Sequence, residues 1–161
     1  MWFEMRPVEL DFRESAGRIY VTEAVVRAPR PEVWAAFVDP ETWRHWFPGV
    51  SGASYPGQST PFGPGTRREA TVSGQRYQET VVAWEEQRLW AYRIDRATLP
   101  LARAQLECSE FEDAGDGTRV RWTLATDRRL LLWLAAPFFQ GTLDRLFQRA
   151  ARNLEAFLAS R

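Results

Sequence analysis

Apolar and polar positions change their period three times along the chain. From Arg18 to Arg27 the run RIYVTEAVVR is β-branched and partly alternating, which predicts a strand. Pro29 and Pro31 stop it, and Pro31 suits the first turn of a helix, with Glu32 placed well against the helix dipole. Val33, Trp34, Phe37 and Val38 then make one apolar stripe. Asp39-Pro40 ends that helix and opens a second, short one from Glu41 to about Trp46, which Pro48-Gly49 closes. Val50–Tyr55 reads as a strand, and 56–65, rich in Pro and Gly, reads as a loop long enough to cover a cavity entrance. Five strand-like runs follow: Thr66–Ser73, Gln75–Trp84, Leu89–Arg96, Leu101–Glu112 and Thr118–Thr126. The segment Asp113–Gly117 between the last two is a turn signal. At the end the period becomes helical. Leu143, Leu146, Phe147, Ala150, Leu154, Phe157 and Leu158 share one face, Arg145, Arg149, Arg152 and Glu155 the other, and Pro137 starts or kinks the helix. A curved antiparallel sheet with a long amphipathic helix on its concave face satisfies this order.

Composition narrows the function classes. A chain of 161 residues fits one domain, and its 45% apolar content is that of a globular protein. The 21 basic residues, all Arg, are matched by 21 acidic ones, which argues against a nucleic-acid partner. Eight Trp and ten Phe supply material for a core and for an apolar pocket. One histidine, His45, and one cysteine, Cys108, are too few for a Cys/His zinc site, and no cofactor motif is present, so neither metal nor cofactor is expected. Residues 1–17 have no clear period and no signal-peptide pattern, so they read as an N-terminal extension to a single domain over 18–161, with a cytoplasmic location expected.

The run Ala28-Pro29-Arg30-Pro31-Glu32-Val33-Trp34, with Asp39-Pro40-Glu41-Thr42-Trp43 and Trp46-Phe47-Pro48-Gly49-Val50, resembles the opening of polyketide cyclase/dehydrase-like proteins of the START-like, Bet v 1-like superfamily. Gly65-Thr66, Glu79–Trp84, Leu89–Ile94 and Asp116–Val120 are similar in the same order, so the resemblance covers roughly residues 18–160. It implies an α+β helix-grip fold: a curved antiparallel sheet of six to seven strands around a long C-terminal helix, with two short helices after the first strand. It also implies a cavity for an apolar small molecule. It brings no common catalytic set, and fold does not fix function.

Strand alternation supplies the candidate cavity residues. Tyr77, Glu79 and Val81 share one face of their strand, as do Trp90, Tyr92 and Ile94, then Ala104, Leu106 and Cys108, then Val120, Trp122 and Leu124. The predicted ligand set is Trp46, Phe47, Tyr77, Glu79, Val81, Trp90, Tyr92, Ala104, Leu106, Trp122, Phe138 and Leu143. Tyr77 and Tyr92 could orient a carbonyl or phenol, and an inward Glu79 would be a desolvated carboxylate suited to proton abstraction. His45 is the one imidazole for acid–base work at neutral pH. Each has a plain alternative: core tyrosines, an ion-paired glutamate, a surface histidine. Cys108 reads as a buried, inert thiol, and Arg93 and Arg103 face outward on this register. Leu130–Phe139 is either the start of the cavity helix or an exposed patch for a membrane surface or a protein partner. The primary expectation is a carrier or sensor of a lipid, quinone or polyketide-like aromatic. A cyclase/dehydratase-type enzyme is the first alternative and an interaction module the second.

Overall fold

In the computed structural model of the chain, the described residues are 1–128 and 136–161, with backbone alone at 136–138. The elements run β1 (Phe3–Glu4), α1 (Phe12–Ser15), β2 (Arg18–Val26), α2 (Arg30–Val38), a 3-10 turn (Pro40–Thr42), α3 (Trp43–Trp46), β3 (Val50–Ser54), β4 (Arg67–Val72), β5 (Gln75–Glu85), β6 (Leu89–Ala97), β7 (Ala102–Ala114), β8 (Gly117–Arg128) and α4 (Ala136–Ala159). Seven strands form one curled antiparallel sheet in the order β2-β8-β7-β6-β5-β4-β3. This is the expected architecture, and its local causes are those the pattern suggests. The Asp39 carboxylate accepts from the Glu41 amide at 3.0 Å and caps the 3-10 turn. Ser73 and Gly74, at φ +49° and +79°, make the two-residue turn between β4 and β5 that matches strand twist.

α2, α3 and α4 fill the concave face. Trp34, Phe37, Trp43, Trp46 and Phe47 pack there against Trp90, Phe111 and Trp122 from the sheet and Phe147 from α4. The helix α4 lies along the free edge of β2. Gln140 and Gln148 donate to the carbonyls of Val21 and Glu23, at 3.0 and 2.7 Å, and Glu155 accepts from the Arg27 amide at 3.0 Å. These bonds occupy edge groups that would otherwise invite another strand.

The convex face has its own core, built by residues 1–17. β1 pairs with the end of β6, Phe3 opposite Ala97 and Glu4 opposite Arg96. The Met5 amide then donates to the Asp95 carbonyl and the Arg6 amide to the Arg103 carbonyl, both at 2.8 Å. Residues 3–6 thus sit between β6 and β7 where the two strands diverge. Val8 and Phe12 follow onto the outside of the sheet, against Ala83, Leu89, Ala91, Ala104, Leu106, Cys108 and Ala125. The cavity roles expected for Ala104 and Leu106 are therefore corrected: both face the convex core. The strand β7 presents Gln105, Glu107 and Phe111 to the concave side instead. Its more apolar face is the outer one because the N-terminal segment covers it.

Phe12 is the largest side chain in that outer layer and is almost wholly buried. Phe12→Ala should cost about 3 kcal/mol, the usual loss for a buried Phe. Urea unfolding checks this; an unchanged midpoint would mean that the segment adds nothing to stability.

Candidate functional site

Five neighbouring strands, β4 to β8, bring one side chain after another to the concave face. On β4 these are Arg68, Ala70 and Val72, and the register sets Arg68 opposite Glu79 and Ala70 opposite Tyr77 on β5. Glu79 is opposite Ile94 on β6, Tyr92 opposite Glu107 on β7, and Glu107 opposite Leu124 on β8. All of these but Ala70, together with Trp43, Phe47, Val50, Gln105 and Trp122, and with Leu143 and Leu146 of α4, line a partly open cavity of about 170 Å³. The space is two-sided. The α4, α3 and β3 side is apolar, whereas the sheet wall carries Arg68, Glu79, Tyr77, Tyr92, Gln105 and Glu107.

The charges of that wall are held tightly. The Arg68 Nη1 donates to Glu79 Oε2 at 2.5 Å, and the two side chains are only 2% and 4% exposed, so the pair is effectively dry. The guanidinium also lies over aromatic rings, 4.5 Å from the centroid of Trp43, 5.1 Å from Tyr92 and 5.6 Å from Trp90. Its charge is thereby dispersed over rings as well as balanced by a carboxylate. Glu107 accepts from the Tyr92 hydroxyl at 2.6 Å and from the Gln105 amide at 3.1 Å. The Trp122 indole favours its ionised form as well.

Burial dominates the acid–base properties. It pushes the Glu79 carboxyl up from 4.5 to about 7; Arg68 opposes this and the charge of Glu107 adds to it. Burial likewise raises Glu107, against the hydrogen bond from Tyr92 and the charge of Arg68. Tyr92 is held well above its ordinary value by burial and then by Glu107 and Glu79. Tyr77 is raised by burial and by the same two carboxylates. Two carboxyls face one guanidinium, and both resist ionisation. The wall can therefore accept hydrogen bonds, hold a proton near neutral pH, and pass it to a group that enters the cavity.

Several of the expected residues come together here: Phe47, Tyr77, Glu79, Tyr92, Trp122 and Leu143 all line the space. Others do not. Trp46, Val81 and Trp90 are buried in the concave core but do not line the cavity surface. His45 is off the site altogether. It points out of α3 and stacks on Phe157, with rings 5.4 Å apart and 3° from parallel, because the inward positions of that short helix are taken by Trp43 and Trp46. Phe138, and residues 130–138 of the run Leu130–Phe139, lie outside the residues described to the side chain; Phe139 packs edge-on against Tyr20 at 5.1 Å. The loop 56–65 contributes nothing to the cavity surface: Phe62 packs on Tyr55 and Trp84. Cys108 is buried on the convex side, its thiol pushed up to about 11 by burial.

The polar residues that alternation missed are Arg68, Gln105 and Glu107. An Arg in the sequence Arg67-Arg68-Glu69 gives no hint of which neighbour turns inward, and on β7 the polar set is the inward one. A signal did exist: Arg68 shares its face with Ala70 and Val72, and an arginine in an apolar stripe asks for a buried partner. Among the described residues no group of three or more His, Cys, Asp and Glu could hold a metal ion. No described helix is long and apolar enough to cross a membrane.

A family model described as polyketide cyclase / dehydrase and lipid transport matches residues 18–158. Among solved structures, the chain is similar to a START superfamily protein from Mycobacterium smegmatis, with TM-score 0.73 and 15% identity over 89% of this chain and 99% of that one. It is similar to a protein from Thermus thermophilus, with TM-score 0.70 and 17% identity over 89% and 98%. It is similar also to Ara h 8.0201, with TM-score 0.70 and 16% identity over 89% and 99%. At these identities the likeness is one of fold. No curated protein matches the sequence.

Because the folded pKa of Glu79 lies above its unfolded value, its contribution to stability is complete at low pH and is lost as pH rises from about 4.5 through about 7. Calorimetry should show Tm falling between pH 5 and pH 8, as stability drops by on the order of a few kcal/mol at most. Glu79→Gln should flatten most of that fall, and a wild-type Tm that does not fall over this range would show the carboxyl to be ionised throughout. Removing the cation alone is costlier. Arg68→Ala strands two carboxyls and should lose about 3–5 kcal/mol in urea unfolding, whereas Arg68→Met with Glu79→Leu should recover most of it.

Proposed function

The chain belongs to the polyketide cyclase/dehydrase and lipid transport family, and from that premise we propose that it takes up an apolar small molecule between the sheet and α4, as a carrier or sensor. The observation that supports this most directly is the two-sided cavity. Its apolar side, with Phe47, Val50, Leu143 and Leu146, removes hydrocarbon from water, and its polar wall gives one end of the ligand a fixed orientation. The space of about 170 Å³ is close to that of an engineered apolar cavity of about 150 Å³ that binds benzene, so one ring or a short chain fills it as it stands. A longer lipid, quinone or polyketide would extend past Leu143 and Leu146 and require α4 to shift outward. A cytoplasmic setting suits a chain with one cysteine.

A second reading is favoured by one specific feature of the same wall. Glu79, with a pKa near 7, stands in one cluster with Arg68, Tyr92 and the Tyr92-bonded Glu107. A carbonyl compound held against that cluster could exchange a proton with Glu79 and have its oxygen polarised by a hydrogen bond, which is the chemistry a cyclase or dehydratase needs. The two readings share the site and differ in what leaves it.

Native mass spectrometry of the purified protein, with solvent extraction, tests uptake. A bound apolar molecule of defined mass is the expected result. Since Trp43 and Trp122 line the space, titration with a one-ring aromatic should also change tryptophan emission. Leu143→Trp, which fills the cavity from α4, should abolish both signals while the protein stays folded. An empty wild type that takes up no apolar compound would sink the cavity reading. A ligand returned unaltered supports carriage, and one returned altered supports the enzyme.

A further inference from the structure

We propose that Met5 limits the extent of the cavity, so that the opening segment of the chain determines the size of ligand it admits. The inference rests on the ligand-binding reading and adds which residue restricts the ligand. The segment lies outside the family match, which begins at residue 18.

The sheet wall of the cavity has a gap that this segment fills. The ladder between β6 and β7 ends at Arg93 opposite Leu106. Next along the two strands come Ile94 and Gln105, and both line the cavity. Beyond them the strands part, and residues 3–6 enter between. The Met5 amide bonds to the Asp95 carbonyl on one side and the Arg6 amide to the Arg103 carbonyl on the other, at 2.8 Å each.

Alternation then decides which side chains of the segment reach the interior. Glu4 and Arg6 turn to the outer face, where they pair with Arg96 at 3.6 Å and with Asp127 at 2.6 Å. Met5, between them, turns inward. It is 7% exposed and belongs to the concave core with Ile94, Ala97, Ala102 and Leu124, whereas Val8 and Phe12 of the same segment belong to the convex one. Met5 fills the gap without reaching the cavity surface itself. An unbranched thioether suits that task, because it adapts to an irregular space. Shortening it would leave empty volume beside Ile94 and Gln105, next to the cavity. The space of about 170 Å³, sized for one ring, is therefore bounded on this side by a plug that the strands β2 to β8 do not supply.

The chain has two methionines, and Met1 is 96% exposed, so methyl-labelled methionine NMR of the wild-type protein reads Met5 against an internal control. Toluene is the probe. Once a change in tryptophan emission shows it bound, the Met5 methyl signal should shift and that of Met1 should not. A Met5 signal that stays in place with toluene bound overturns the proposal. Calorimetry with toluene and naphthalene, one ring and two, tests the size limit. Met5→Ala should raise the affinity for naphthalene relative to toluene by at least about tenfold. Met5→Leu, which nearly conserves volume, should change that ratio by less than about twofold. An equal ratio in wild type and folded Met5→Ala, or a rise as large in Met5→Leu, overturns the proposal and leaves the cavity reading standing. If Met5→Ala does not fold, the wild-type methyl signal decides alone. Failure of wild type and Met5→Ala to bind either compound removes the cavity reading and the proposal together.

Discussion

Gln140, Gln148 and Glu155 tie α4 to the backbone of β2, and the interior of the molecule is arranged around that seam. A sheet of seven strands that curls without closing leaves β2 with unpaired peptide groups. A further strand could have paired with them. Here a helix meets them through side chains, and side chains set a larger standoff than a backbone ladder does. The seam fixes the height and rotation of α4, and so places Leu143 and Leu146 above the sheet wall at a distance that leaves space between them. The cavity is in this sense what remains when a helix, rather than a strand, completes the sheet.

How much of this was legible beforehand depends on whether the deciding contact is local. Turns and helix starts were readable because their causes sit within a few residues: Asp113–Gly117, Asp39 with Pro40, Pro31 in the first turn of α2. The alternation of β5, β6 and β8 placed Tyr77, Glu79, Tyr92 and Trp122 on the concave side, and the structure has them there. On β7 the same rule misled. Both of its faces are buried, and the more apolar one belongs to a second core whose cover, residues 1–17, lacks any periodic signature. Arg68 and Glu107 were hidden for a related reason. A buried charge is explained by its partners, and theirs lie across the ladder on other strands. His45 attracted attention by being unique in composition, which carries no information about where its ring points.

The polar wall is hard to explain as a stabilising device. Buried ion pairs seldom improve on a well-packed apolar pair, and a second carboxyl whose ionisation is resisted subtracts further. Here Trp43, Trp90 and Tyr92 surround the guanidinium, and Tyr92 and Gln105 hold the second carboxyl, so the groups are kept in place at a cost to the fold. Such an arrangement is what pre-organisation for a ligand requires: the groups that will meet it are oriented and desolvated before it arrives.

The wedge formed by residues 3–6 bears on the order in which the molecule assembles. Phe3 pairs with Ala97, and Arg6 reaches Arg103, so this segment leaves the ribosome long before the strands that hold it exist. Closing so long a loop is entropically slow relative to forming the hairpins between successive strands. The meander can therefore form first with its outer face bare, and the opening residues come back to seal it afterwards. During that interval the apolar side of Leu106 and Ala125 is open to other chains, so the window for aggregation in this protein belongs to its convex surface and closes with the return of Phe12.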